Sequence, residues 1–177
     1  MNYIEIIFKD IKICQLDNFF HDFIIFNDID IILSHFFDKE KKRDLEYKDI
    51  KNFKSYFVSA GTCNIYLRKV LIGIELENVI IIISSDKDYC DITINFEEKY
   101  FSNCKNIERK FIILLDLLLE IYQKYEIEKI IFGYEPAEDA DMKILEISQK
   151  QVKLFNTNVF NKQWIKAIFG MINKKNI

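Results

Sequence analysis

The sequence predicts a single α+β domain over residues 1–177, an antiparallel β meander packed against one long buried helix, with a second helix near the C-terminus. Three observations carry this. Four short β-type runs follow one another at Asn64–Lys69, Val70–Leu76, Val79–Ser84 and Tyr89–Phe96. The last of them alternates Ile92, Ile94 and Phe96 with Asp91, Thr93, Asn95 and Glu97, the period of a strand with one wet face. Directly afterwards, Asn106 to Tyr125 holds Arg109, Asp116, Glu120 and Lys124 in one narrow stripe with apolar residues facing away from it, the signature of a helix that shows water a single edge.

From the N-terminus, Tyr3–Phe8 and Ile11–Leu16 are apolar and β-branched around Lys9-Asp10, which predicts a first hairpin. Phe19–Phe26 is aromatic and fits strand or loop. From Asp28, an N-cap residue, Ile29, Ile32, Leu33, Phe36 and Phe37 recur at helical spacing. Lys39–Asn52 is charged and reads as a solvated helix end and loop. Ile50, Phe53 and Phe57 suit a short helix capped by Asp49 and stopped at Gly61, although Phe53–Ser59 also fits a strand.

Within the meander, Glu77-Asn78 and Ser85-Asp86-Lys87-Asp88 supply turns. Ile80–Ile83 is apolar throughout, as for a central strand covered on both faces. On the long helix, Glu120 and Lys124 are ordered for an i,i+4 pair. Lys129–Tyr134 is a further strand, Met142–Ile147 another, and Phe160–Ile172 a closing helix with Trp164, Ile165, Ile168 and Phe169 on its apolar face.

Composition excludes several function classes. Net charge is −3, with 28 acidic against 25 basic residues, the wrong balance for a protein that must replace phosphate counterions; no nucleic-acid partner is expected. No apolar run reaches the ~20 residues of a membrane span, and the N-terminus lacks a signal-peptide pattern, so a cytoplasmic location is expected. Four widely spaced cysteines, Cys14, Cys63, Cys90 and Cys104, form no metal motif and read as reduced structural thiols, the first three as small hydrophobes. His21 and His35, the only histidines, read as packing residues in aromatic or helical settings. Phosphate-loop, nucleophile-elbow and dinucleotide motifs are absent. Cys63, after Gly61-Thr62, lacks an identifiable histidine partner for nucleophilic work. No catalytic residue, metal ligand or cofactor is assigned.

One segment stands out. Gly133–Asp141 packs four carboxylates (Glu135, Glu138, Asp139 and Asp141) into seven residues at a strand end, beside Tyr134 and the only proline, Pro136. Such a loop can present charge to a partner, hold a divalent cation or serve as acid and base. It fails the EF-hand pattern, because Ile144 and Lys150 stand where Gly and Glu are required. Pro136 also suits the first position of a helical turn, with Glu138 and Asp139 at its positive end.

The order of antiparallel meander, buried helix and a strand leading into Phe132-Gly133-Tyr134-Glu135-Pro136-Ala137-Glu138-Asp139 resembles immunity proteins of bacterial polymorphic-toxin and contact-dependent inhibition systems. That resemblance implies a non-catalytic cytoplasmic inhibitor whose partner is a toxin protein, often a basic one, masked at its active site. Under it Tyr134, Glu135, Glu138, Asp139 and Asp141 are the candidate contacts. The competing readings are a metal-assisted hydrolase built on loop 135–141, drawing further ligands from Asp86, Asp88 or Asp91, and a structural or assembly subunit.

Overall fold

The computed structural model describes residues 2–38, 42–102, 106–149 and 151–155. One antiparallel sheet of nine strands organises it: β1 (Tyr3–Lys12), β2 (Ile31–Asp38), β3 (Arg43–Leu45), β4 (Gly61–Ile72), β5 (Ile74–Ser85), β6 (Tyr89–Glu97), β7 (Lys129–Tyr134), β8 (Lys143–Ser148) and β9 (Gln151–Leu154). Their spatial order is β3-β2-β4-β5-β6-β1-β7-β8-β9. The N-terminal strand therefore lies inside the sheet, between the end of the meander and β7. Among the described residues four α-helices accompany it: α1 (Leu16–Phe23), α2 (Phe53–Tyr56), α3 (Glu98–Ser102) and α4 (Ile107–Lys124).

The meander β4-β5-β6 and the long helix form as their patterns predict, with different turns. Gly73, at φ +66°, turns the chain between β4 and β5, and a Cβ there would stand 3.0 Å from the side chain of Leu117 on α4. Glycine takes this conformation without steric cost. The strands therefore run longer than the periodicity suggests, and Glu77-Asn78 lies inside β5. Asn78 takes φ +51° there, a value asparagine tolerates better than most residues. The turn at 86–88 forms where expected.

The N-terminal third departs from its sequence reading. Lys9-Asp10 makes an irregularity in one continuous strand instead of a hairpin turn: the β1–β6 register shifts between Phe8 and Ile11, and Asp10 has φ +58°. The Asp10 N–H donates to the Asp91 carboxylate at 3.1 Å, which holds the distortion. Segment 16–23, expected as strand or loop, is α1, with Leu16, Phe19, Phe20 and Phe23 buried at i, i+3, i+4 and i+7. Conversely, the expected helix after Asp28 is strand β2. Of its supposed apolar face only Phe36 is buried, whereas Ile29, Ile32, Leu33 and Phe37 are exposed. Its β-branched residues fit a pleated strand, and antiparallel pairing with β4 decides the outcome. At Phe53 the short helix prevails over the strand. Asn52, not Asp49, caps it by accepting the Ser55 N–H at 2.7 Å, and Asp17 of α1 accepts the Phe53 N–H at 2.8 Å.

Both long helices lie on one face of the sheet. Phe111, Leu114, Leu115, Leu118 and Ile121 of α4 join α1 and the inward residues of the strands in one core. Its centre is aromatic: Phe19 of α1 meets Phe8 at 5.2 Å and Tyr125 at 5.5 Å, both edge to face. Lys124 forms its ion pair with Asp22 of α1 at 2.6 Å and not with Glu120, tying helix to helix instead of turn to turn. The expected closing helix at Phe160–Ile172, with Trp164, lies outside the described residues.

Cross-strand pairing puts His35, Asn64, Ile82, Thr93, Ile7, Ile131, Glu146 and Lys153 in one row on the opposite, outer face. Ile81 and Ile83 are buried while Ile80 and Ile82 are half-buried, so β5 is fully covered on one face only.

Candidate partner-binding site

The acidic loop begins where β7 ends and folds back over the outer face, above β1 and β7. Ala137, fully buried, packs on Ile7 and Ile131 in a small cluster separate from the main core. Its backbone N–H donates to a carboxylate oxygen of Glu5 at 2.7 Å. The close approach needs Gly133, where a Cβ would stand 2.5 Å from the Met142 carbonyl oxygen and 3.1 Å from the Ala137 Cβ. The sole proline follows a cis peptide bond from Glu135. The expected helical turn is replaced by successive reverse turns, in which the Asp139 N–H donates to the Pro136 carbonyl and the Met142 N–H to the Asp139 carbonyl, both at 3.1 Å.

Glu5 is 8% exposed. Burial pushes its carboxyl above the ordinary range, and the charges of Glu135 and Glu138 push the same way, against the hydrogen bonds from Ala137 and Asn95. Lys9 stands between Asp91, at 2.8 Å, and Glu138, at 2.9 Å. Its burial disfavours the ammonium, but these two carboxylates outweigh that and raise its pKa. The ammonium fills the position where a cation bridging Glu138 and Asp91 would sit. Among the described residues no group of three or more His, Cys, Asp or Glu side chains is arranged to hold a metal ion.

The five candidate contacts divide. Glu135, Glu138, Asp139 and Asp141 are exposed, and Glu135, Asp139 and Asp141 have no ion pair among the described residues. Tyr134 points the other way: it is 6% exposed in the main core, and its hydroxyl donates to Glu98 at 2.5 Å.

Burial pushes the Cys63 thiol far up and the Cys90 thiol to about 12, which leaves neither as a ready nucleophile. Cys14 is exposed, contrary to the expectation for an apolar run. Neither histidine packs in the core: His21 is exposed beside Asp22, and His35 stands on the outer face 3.5 Å from Asp44.

Sequence reasoning passed over a second surface. Where β2 runs beyond its three-residue pairing with β3, a cleft of about 540 Å³ opens between Ile31–His35 and the segment Asp44–Lys48. Ile32 and Leu33, each 59% exposed, and Ile29, 79% exposed, lie at or beside it. The helical reading of this segment concealed it.

The sequence matches the model of the PABL017 Cdi1I immunity proteins over residues 2–150. The chain belongs to that family. It is an immunity protein, and the family is not one of enzymes. No curated protein is significantly similar to it. Among solved structures, it is similar to a chain in the crystal structure of the toxic C-terminal tip of CdiA from Pseudomonas aeruginosa in complex with immune protein. The TM-score is 0.58 at 14% identity, covering 82% of this chain and 94% of the other. At that identity the likeness is one of fold, and it agrees with the α+β sheet described above. Among the described residues no helix is long and apolar enough to cross a membrane.

Proposed function

We propose that this immunity protein neutralises a cognate toxin domain in the cytoplasm by covering that domain's active site, using the carboxylates of the acidic loop as contacts. Family membership supplies the toxin-neutralising role. The observation that carries the site is the loop's construction: a buried hydrogen bond to Glu5 and an apolar seat under Ala137 hold Glu135, Asp139 and Asp141 outward, with no ion pair among the described residues. A loop backbone fixed in advance lowers the cost of ordering on binding, and its acidic side chains draw in a basic surface from a distance.

Co-expression with the cognate toxin domain tests this. The unaltered chain should restore growth and bind the purified domain. The triple reversal Glu135→Lys, Asp139→Lys and Asp141→Lys should slow association by tenfold or more at low salt. Full protection and unchanged association by the triple variant would remove the loop from the interface.

A further inference from the structure

The cleft beside β2 has the composition of a recognition pocket. Its lining includes the apolar side chains of Ile31, Ile32, Leu33 and Leu45. Its rim is acidic: Asp28, Asp44 and Glu46 are exposed around it. Against these stand Lys48, already paired with Glu46 at 2.6 Å, and His35, 3.5 Å from Asp44. Tyr47 is half-buried in the same wall; burial raises its pKa, and the charges of Asp28 and Asp17 push the same way. Large apolar side chains exposed together inside a charged rim are the arrangement of a protein interface.

The sign of the rim selects the occupant. A second copy on a two-fold axis would set Asp28, Asp44 and Glu46 against their own equivalents, which like-charge repulsion opposes. A basic partner is favoured. Position points to the same partner as the loop. Leu33 and His35 belong to the outer face over which the loop folds, and β2 lies four to five strand spacings from β1 and β7, roughly 20 Å. One toxin domain spans that distance, because a standard interface covers roughly 800 Å² on each partner.

Resting on the toxin-neutralising reading, we infer that the β2 cleft is a second contact for the same toxin domain and receives an apolar anchor side chain flanked by basic residues. The anchor displaces water from Ile32 and Leu33, while Asp28, Asp44 and Glu46 meet the flanking cations.

Calorimetry and stopped-flow association with the purified cognate toxin domain decide it. Leu33→Asp should weaken affinity at least tenfold, mainly through faster dissociation. The double reversal Asp28→Lys and Asp44→Lys, at exposed positions, should slow association several-fold at low salt and little at high salt. Unchanged constants in both variants, with the loop reversal still weakening binding, would overturn the cleft and leave the loop intact. A concentration-dependent dimer that Leu33→Asp dissolves would also overturn it, in favour of a second copy. No binding by the unaltered chain would sink the toxin-neutralising reading, and the cleft proposal with it.

Discussion

Ala137 and Glu5, 132 residues apart in sequence, are joined by a buried hydrogen bond of 2.7 Å that fastens the acidic loop to β1, an interior strand of the sheet. Glu5→Ala should leave the Ala137 N–H without an acceptor in a dry site, costing about 1–3 kcal/mol. Hydrogen exchange at the Ala137 amide should accelerate more than that of the α4 amides.

The same carboxyl sets a pH dependence. Its folded-state pKa lies above its unfolded one, so the folded protein binds the proton more tightly. The stability linked to Glu5 is then fully present below the unfolded value near 4.5 and is lost as pH rises through the raised folded value. Glu5→Gln keeps an acceptor for Ala137 and should flatten the melting temperature between pH 4.5 and 7, with a smaller deficit at pH 7 than Glu5→Ala.

Gly133→Ala should cost about 2–3 kcal/mol in chemical denaturation, because the new methyl collides with the Met142 backbone oxygen instead of with a yielding side chain. Binding to the toxin should weaken as well, since the loop must lift.

Asp22 behaves oppositely to Glu5. Hydrogen bonds from His21, Lys124 and Tyr125 hold its carboxyl well below the ordinary range. A depressed carboxylate contributes stability above its unfolded pKa near 4 and loses it as pH falls further. Asp22→Asn should melt lower than the unaltered protein at pH 7, and the gap should narrow below pH 4.

Tyr134→Phe separates the buried member of the acidic segment from its exposed members. It removes the hydroxyl that donates to Glu98 and should cost about 1 kcal/mol of stability. Toxin affinity should stay within twofold, whereas Asp139→Lys should reverse that pattern.

The sequence alone determined the elements whose pattern is local and redundant: the meander of β4, β5 and β6, the helix α4 with its single polar stripe, strands β7 and β8, and the existence of an acidic loop between them. Period 2 over Asp91–Glu97 and period 3.6 over Arg109–Lys124 each repeat often enough to exclude the alternative. The family was legible in the order of these elements. Tertiary structure decided what short apolar runs cannot. Leu16, Phe19, Phe20 and Phe23 become a helix and Ile31–Phe37 a strand because the first packs under Phe8 and Tyr125 while the second pairs with β4. The orientation of the loop also waited on the fold. That Tyr134 turns inward while Glu135, Asp139 and Asp141 face water follows from β7 pairing with β1 beside Glu5, a contact between segments far apart in the sequence that no local spacing encodes.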